Sequence, residues 1–502
     1  MYKTNVSGVR VGENQYVLAV DLGTSGPKCA LVAMDGSVLV DAFAEVPLNL
    51  LPDGGAEQDP KLWWQQVCQC IHDLLKTDVD KKDILAISCS SQWSGTVAVD
   101  TNGDVLRDSI IWLDSRGQNA VRKIVSGFPN IQNYNVFKLL QWIRLTGGIP
   151  TLGGKDPIAH ILYIKEKYPE VYRRTYKFLE PRDYLNLCFS GRFCSSDEAI
   201  ALYWLTDNRN LDAVKYSDKL LAYSGIDRDK LPELVRPTSV LGTIRKDLAD
   251  SLGLSYQTKI VSGAPDIHAA AIGSGAVKDY EAHLYIGTSS WLTCHVPFKK
   301  TDIFHNIASL PSAIPNRYLA MNEQETAGAC LNFFKNNILF HKDELAIVDK
   351  TGDIYQSFDK IVQQIPAGSN GLIFTPWLYG ERTPVEDHSV RAAFYNLSLD
   401  CNRGHMLRAI YEGVAYNSRW LLHYLQKFIG KELEYVNFIG GGANSPIWCQ
   451  IYADVLGKKI RQVQQPILAN LRGAAFLAFV ALEKMTYEQV SNKIQIAKEF
   501  QP

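Results

Sequence analysis

At 502 residues the chain is too long to bury itself around one hydrophobic core and predicts at least two large domains. A composition of 46% hydrophobic and 21% charged residues is that of an ordinary globular protein, and a formal net charge of −1 excludes any general attraction to nucleic acid or anionic membrane. The longest apolar run, Ala474–Leu482, is too short to cross a bilayer, and residues 1–15 lack a basic-then-apolar secretory pattern. The ten cysteines have neither C-x-x-C nor zinc spacing, so they read as reduced thiols of a cytoplasmic protein.

In chain order, the β-rich runs Val17–Val20 and Cys29–Ala33 flank the polar segment Asp21–Lys28, which predicts a hairpin, and Ser37–Val40 predicts a third strand. A strand ending in Asp21 and turning through Gly23, Thr24, Ser25 and Gly26 offers backbone N–H groups and hydroxyls to phosphate oxygens, with a carboxylate for a hydrated divalent cation. A plain turn accounts for the same residues equally well. Asp59 and Pro60 then begin a helix with Trp63, Val67, Cys70, Ile71 and Leu74 on one face. The buried-strand run Ile84–Ser88 leads into Gln92, Trp93 and Ser94, an amide, an indole and a hydroxyl at a strand end. Such a set binds a sugar or simply satisfies a turn.

Ile110–Trp112 precedes Asp114 and Arg116, an ion pair in its simplest reading. A helix is predicted from Pro157 through Lys165, and 178–186 enters another. The strand Ile260–Val261 and a Gly263–Pro265 turn lead to Asp266, which opens a helix of alanines and glycines. That aspartate caps the helix or accepts a proton from a substrate hydroxyl, and His268 reads as structural. The opening pattern then returns as His283–Val296, a strand, a Gly287-Thr288-Ser289 turn and a second strand, now without an aspartate. A small-residue helix begins near Gly328, a polar loop spans 374–384, and Leu407, Ile410, Val414 and Leu421 mark a long helix. Phe438–Pro446 is a strand, a Gly440-Gly441-Gly442 turn and a helix start, and the last helix begins near Arg472.

Four separated motifs stand in one order: Asp21-Leu-Gly-Thr-Ser25, Gly263-Ala-Pro-Asp266, Ile286-Gly-Thr-Ser289 and Gly440-Gly-Gly-Ala-Asn444. Together with the stretch Gly371–Arg382 they resemble the FGGY carbohydrate kinases of the actin-like ATPase superfamily, from about Tyr16 to Leu482. The resemblance implies an α/β fold of two actin-like (ribonuclease H-like) domains, each a mixed sheet flanked by helices, with a cleft between them. They would span 16–277 and 282–484. It implies ATP and Mg²⁺ as cofactors, a small-molecule sugar as partner, neither nucleic acid nor membrane, and room for a homodimer. By the same resemblance Asp21 serves the metal and Asp266 is the catalytic base. Gln92, Trp93, Ser94, Lys155, Asp156 and Asp266 bind the sugar. Gly23, Thr24, Ser25, Lys28, Gly287, Thr288, Ser289, Gly328, Gly441, Gly442 and Asn444 bind the nucleotide.

Within the family, Ser91–Gly95 and Trp112–Arg116 are most similar to xylulokinases, which implies conversion of D-xylulose to D-xylulose 5-phosphate. Trp93-Ser94 replaces the Met-His pair of many xylulokinases, the Arg-Glu pair of glycerol kinases is absent, and Asn470 stands where an acidic residue is expected. The alternatives are a kinase for another ketose or polyol, such as ribulose or erythritol, and a catalytically silent sugar- or nucleotide-sensing relative.

Overall fold

A computed structural model describes residues 15–340 and 353–502, so the N-terminal stretch read for a secretory pattern lies almost wholly outside the described residues. The chain divides into two compact units that are not continuous in sequence. The first gathers the described residues up to Gly273 with Leu310–Tyr318 and Asn470–Lys493; the second gathers Ser274–Ser309, Leu319–Ala469 and Ile494–Pro502.

In the first unit the elements that position the site are β1 (Tyr16–Gly23), β2 (Gly26–Ala33), β3 (Val38–Phe43), α1 (Pro60–Leu74), β4 (Ile84–Ser91), α2 (Pro157–Lys167), α3 (Pro181–Ser190), β5 (Val240–Thr243), β6 (Lys259–Val261) and α4 (Asp266–Gly273). The six strands form one mixed sheet in the order β5-β6-β4-β1-β2-β3, in which β6, β4 and β1 run parallel. Their C-terminal ends therefore deliver the turn after Gly23, the loop after Ser91 and the loop after Val261 to the same end of the sheet. Ligands of such sheets bind at that end.

Side chains alternate across a strand, and the two faces of this sheet differ in kind. Leu18, Val20 and Leu22 of β1, with Cys29 and Leu31 of β2, pack into a core with Trp63, Val67, Ile71 and Leu74 of α1. The helix begins as its sequence predicts, with Asp59 accepting from the Lys61 amide at 2.8 Å and Pro60 in the first turn. Truncating one such side chain, Leu18→Ala for example, costs about 2–5 kcal/mol. Asp21 falls on the opposite face, across the strands from Lys28 and Ser90. That face is covered by the small-residue helix α4 and by the helix Ala469–Ala481. A Cβ on Gly473 would collide with the Ala269 carbonyl, so these two helices meet at backbone contact. The alanines of α4 thus serve the approach of another helix.

In the second unit, β7 (Ala282–Ile286) and β8 (Ser290–Val296) form the second hairpin. After them come β9 (Thr301–Asp302), β10 (Ile307–Pro311, its last two residues in the first unit), β11 (Tyr318–Met321, its first residue in the first unit), α5 (Gly328–Phe333), α6 (Ile354–Gln364), α7 (Arg403–Ile429), β12 (Tyr435–Ile439), α8 (Pro446–Leu456), β13 (Lys459–Val463), α9 (Ala469–Ala481, its residues from Asn470 on in the first unit) and β14 (Ile496–Phe500). The sheet order is β9-β10-β11-β8-β7-β12-β13-β14, with β7, β12 and β13 parallel. The long helix α7 is stopped by Gly430 in the left-handed region at φ +69°. None of the ten cysteines is in a disulfide, and among the described residues no helix is long and apolar enough to cross a membrane.

Candidate active site

The first hairpin is longer than its composition suggests. Its strands run on through the polar residues to a two-residue tip, Thr24-Ser25, with Gly23 opposite Gly26 and Asp21 opposite Lys28. The backbone ladder continues because partners for the polar side chains lie across the sheet. Gly26 has a φ of +133°, and a Cβ there would strike the Ala44 carbonyl, so glycine is required. Thr24 is pinned by side chains: its hydroxyl donates to Gln92 Oε1 at 3.1 Å and accepts from the Trp112 indole at 3.0 Å. Gln58 Nε2 donates to the Thr24 carbonyl at 2.8 Å, and Gln92 Nε2 donates to Gln58 Oε1 at 2.9 Å. Gln92, expected to meet the sugar, has its amide on Thr24 of the first turn and on Gln58. Ser25 is exposed at the tip.

Asp21 is 6% exposed. Burial raises its pKa, opposed by the Lys28 charge and by hydrogen bonds from Asn470 and Ser90. Asn470 Nδ2 lies 3.5 Å from Asp21 Oδ1, while Asn470 Oδ1 is buried with no hydrogen-bond partner. A carboxylate and an orphaned amide oxygen are hard donors of the kind Mg²⁺ takes, since that ion uses one or two protein ligands and fills its shell with water and phosphate. No group of three or more His, Cys, Asp or Glu that could hold a metal occurs among the described residues. The residues present fit Mg²⁺ and not an ion that demands an all-protein cage.

The loop after β4 joins the loop before α2. Ser94 sits in the left-handed region at φ +66°, and its hydroxyl donates to the Lys155 carbonyl at 2.8 Å. Lys155 and Asp156 are both buried, and Asp156 Oδ2 accepts from the Thr151 amide at 2.7 Å and the Trp204 indole at 2.9 Å. The Trp93 indole donates to the Ala199 carbonyl at 2.7 Å, and its ring meets His268 edge-on at 5.3 Å. Trp93 and His268 thereby tie this loop to α4. Asp266 is the first residue of α4, half-buried, with Oδ1 accepting from the Ile267 amide at 2.8 Å. Gly263, at φ +74°, lies so close to β4 that a Cβ would overlap the Cys89 carbonyl.

The second unit collects the other expected residues. Gly287 N–H donates to the Ser289 carbonyl at 3.0 Å, and the segment after Thr326 backs the turn. Ala327 N–H donates to the Thr288 carbonyl and Gly328 N–H to the Gly287 carbonyl, both at 2.8 Å. Gly328 is required because a Cβ would lie 2.5 Å from the Gly287 carbonyl; its amide holds the turn. Glu325 is held by Arg382 at 3.0 Å and by Glu381, whose Oε1 accepts the Glu325 amide at 3.2 Å. The 371–382 stretch therefore supports the second turn. Because β12 is parallel to β7, the glycine loop leaves the same sheet end. Cβ atoms on Gly440 and Gly442 would meet Ile286 at 2.6 and 2.5 Å, whereas Gly441 faces open space and Asn444 is exposed. Ser445 caps α8, accepting the Trp448 amide at 3.1 Å and donating to Asp359 at 2.7 Å.

These two hairpins, each beside a parallel strand whose loop shares its end, are matched by family profiles. The N-terminal domain of the FGGY family of carbohydrate kinases matches residues 16–273, and the C-terminal domain of that family matches residues 282–482. The chain belongs to this family. As an FGGY kinase it is a sugar kinase, and ATP use follows from the family. It is 30% identical to the xylulose kinase of Bacillus subtilis (strain 168) over 471 residues, 92% of this chain and 88% of that one. Among solved structures it is similar to a ligand-bound xylulose kinase from Lactobacillus acidophilus (27% identity, TM-score 0.82, 97% and 94% of the two chains). A gluconate kinase from the same organism is similar to the same degree (27% identity, TM-score 0.82, 98% and 94%).

The structure of the FGGY kinase also holds residues that motif reading passes over. Gln58 fixes the first turn from 34 positions away, beside Trp112 of the Trp112–Arg116 stretch, which reaches it from 88. Glu180 lies under the loop after β4: its Oε2 accepts the Gly95 amide at 3.1 Å, and its Oε1 is buried without a partner. An acid immediately before a proline-led helix start was its only signal in the sequence.

Proposed function

We propose that this FGGY kinase transfers the γ-phosphoryl group of ATP to D-xylulose to give D-xylulose 5-phosphate, with Asp266 as the general base. The observation that carries the reading is the convergence of Asp21, the Ser94–Lys155 contact and Asp266 at the ends of three parallel strands. Asp266 takes the proton of the attacking hydroxyl, while Trp93, Ser94, Lys155 and Asp156 hold the sugar and Gln92 braces the first turn through Thr24 and Gln58. Phosphoryl transfer asks little more of a protein than such positioning and charge neutralisation. Gly23, Thr24 and Ser25 face the phosphates with Lys28 as a neutralising charge, and Gly287, Thr288 and Ser289, backed by Gly328, form the second phosphate turn. Gly441, Gly442 and Asn444 take the adenosine. Asp21, helped by the Asn470 oxygen, would hold Mg²⁺, which supplies positive charge to the phosphate oxygens. The functional domains in this reading are 16–277 and 282–484, in a cytoplasmic enzyme whose ten thiols stay reduced.

The sugar rests on the full-length likeness to xylulose kinases, and the equal likeness to a gluconate kinase makes D-gluconate the second reading. A coupled ADP-release assay over D-xylulose, D-ribulose, erythritol and D-gluconate separates them. D-xylulose is expected to give the highest kcat/KM, and turnover of D-gluconate alone would overturn the sugar. Asp266→Asn is expected to lower kcat by about a hundredfold or more with ATP binding intact, and full turnover would remove the base.

A further inference from the structure

The N-terminal turn of α3 grips both loops of the candidate site at once. Pro181 packs so tightly on Gly95 that a Cβ there would collide with the proline ring. The preceding residue, Glu180, is 2% exposed and accepts the Gly95 amide at 3.1 Å. On the same helix Arg182 Nη1 donates to the Gly263 carbonyl at 2.7 Å and Asn186 Nδ2 to the Ser262 carbonyl at 2.8 Å, which fixes the segment that ends in Asp266. Arg182 is itself held by Asp183 at 2.5 Å and Glu198 at 3.4 Å. Removing the Glu180 carboxyl would therefore release Gly95, and with it Ser94, while leaving the Asp266 loop on Arg182 and Asn186.

We propose that Glu180 is a positioning residue for phosphoryl transfer, which holds the Ser94–Gly95 end of the sugar loop in register with Asp266. The inference rests on the reading of Asp266 as base and of 92–95 as sugar-facing. The groups facing Glu180 are Asp183, Asp266, Arg182 and Tyr203. Burial, followed by the Asp183 charge, pushes its carboxyl well above the ordinary carboxylate range, with Asp266 adding to the rise and the Gly95 amide and Arg182 opposing it. In its neutral form Glu180 accepts from Gly95 without placing a second negative charge beside Asp266. As pH rises and Glu180 ionises, it accepts the Gly95 amide more strongly but sets a second negative charge beside Asp266, which opposes the approach of the phosphoryl group.

The test compares Glu180→Ala, Glu180→Gln and Asp266→Asn in the ADP-release assay, with the sugar that the substrate screen selects, from about pH 6 to 9.5. Glu180→Ala is expected to raise the sugar KM about tenfold or more while the ATP KM changes less than about twofold, the split that marks a lost positioning contact. Glu180→Gln keeps an acceptor for Gly95, so it is expected to restore most of the sugar KM and to flatten the alkaline fall of kcat/KM expected of the wild type. An Ala variant that moves both KM values alike, or a Gln variant with the wild-type alkaline fall, would overturn the role. If Glu180→Ala does not fold, as read from its thermal unfolding, the pH profile of Glu180→Gln decides. Full turnover by Asp266→Asn would sink the base assignment itself, whereas an inactive Asp266→Asn beside an unshifted sugar KM in Glu180→Ala sinks only the role of Glu180.

Discussion

The two hairpin tips share a Gly-Thr-Ser sequence and a place at the end of a mixed sheet, yet they are held by different means. Thr24 is fixed by the side chains of Gln58, Gln92 and Trp112, and the turn stands beside a buried carboxylate. Thr288 is fixed by the backbone amides of Ala327 and Ala329, and the turn has no carboxylate of its own. One turn carries charge in a side-chain frame; the other is a bare-backbone cradle. A repeated motif therefore fixes the shape of a turn, and the residues that reach it from elsewhere decide its chemistry.

The sharpest way to break this contrast is Asp21→Asn, which removes the charge and keeps the shape. Its kcat is expected to fall about a hundredfold, the scale of losing one preorganised electrostatic partner at a transferring phosphoryl group. Wild-type turnover would put the first turn in the same class as the second. Next in size is Gly328→Ala, whose Cβ would press on the Gly287 carbonyl. Its ATP KM is expected to rise about tenfold with the sugar KM unchanged, at a stability cost of about 1–3 kcal/mol. Gln92→Leu should cost about 1–3 kcal/mol in urea unfolding, because Thr24 and Gln58 lose their partner, and the second turn has no side-chain equivalent to lose.

A pH measurement sharpens the same contrast. Burial raises the pKa of Asp21, so the folded chain binds that proton more tightly than the unfolded chain does. Stability then falls as pH rises from the ordinary carboxylate value through the raised folded one. Asp21→Asn lacks this fall, so its thermal midpoint should gain on the wild type across that window, and a constant difference would refute the assignment. The smallest effect is expected at Gly441→Ala: a Cβ there meets nothing within 4 Å, so unfolding should shift by no more than about 0.5 kcal/mol. Only a rise in ATP KM would then mark the residue.

Sequence made both hairpins legible, as well as the helix that begins at Asp59-Pro60, the long helix through Leu407 and Val414, and the strand ends that carry Gln92 and Asp266. Each is a local pattern of apolar period and turn chemistry. What stayed hidden is tertiary. Strands that continue through Asp21 and Lys28 require partners across the sheet, and such partners leave no mark in the hairpin's own residues. Glu180 reads locally as an acid before a proline, and nothing in the residues around Gln92 announces its contacts with Gln58 and Thr24. Asn470 stands out only by its identity; its place on the Asp21 face depends on the contact of Gly473 with Ala269.

That last contact sets an order of events during synthesis. Asp21 and Asn470 are 449 positions apart, and the first unit includes Asn470–Lys493. The ribosome delivers the hairpin long before the helix that covers its polar face, and most of the second unit lies between them in the chain, so the first unit cannot finish folding until that stretch has emerged. Long-range closure of this kind is slow and leaves surface open in the meantime. A nascent chain stalled before Asn470 would leave the Ala269 backbone without the helix that covers it, and the chain carried through Lys493 and beyond should resist protease at the first hairpin in a way that this stalled chain does not.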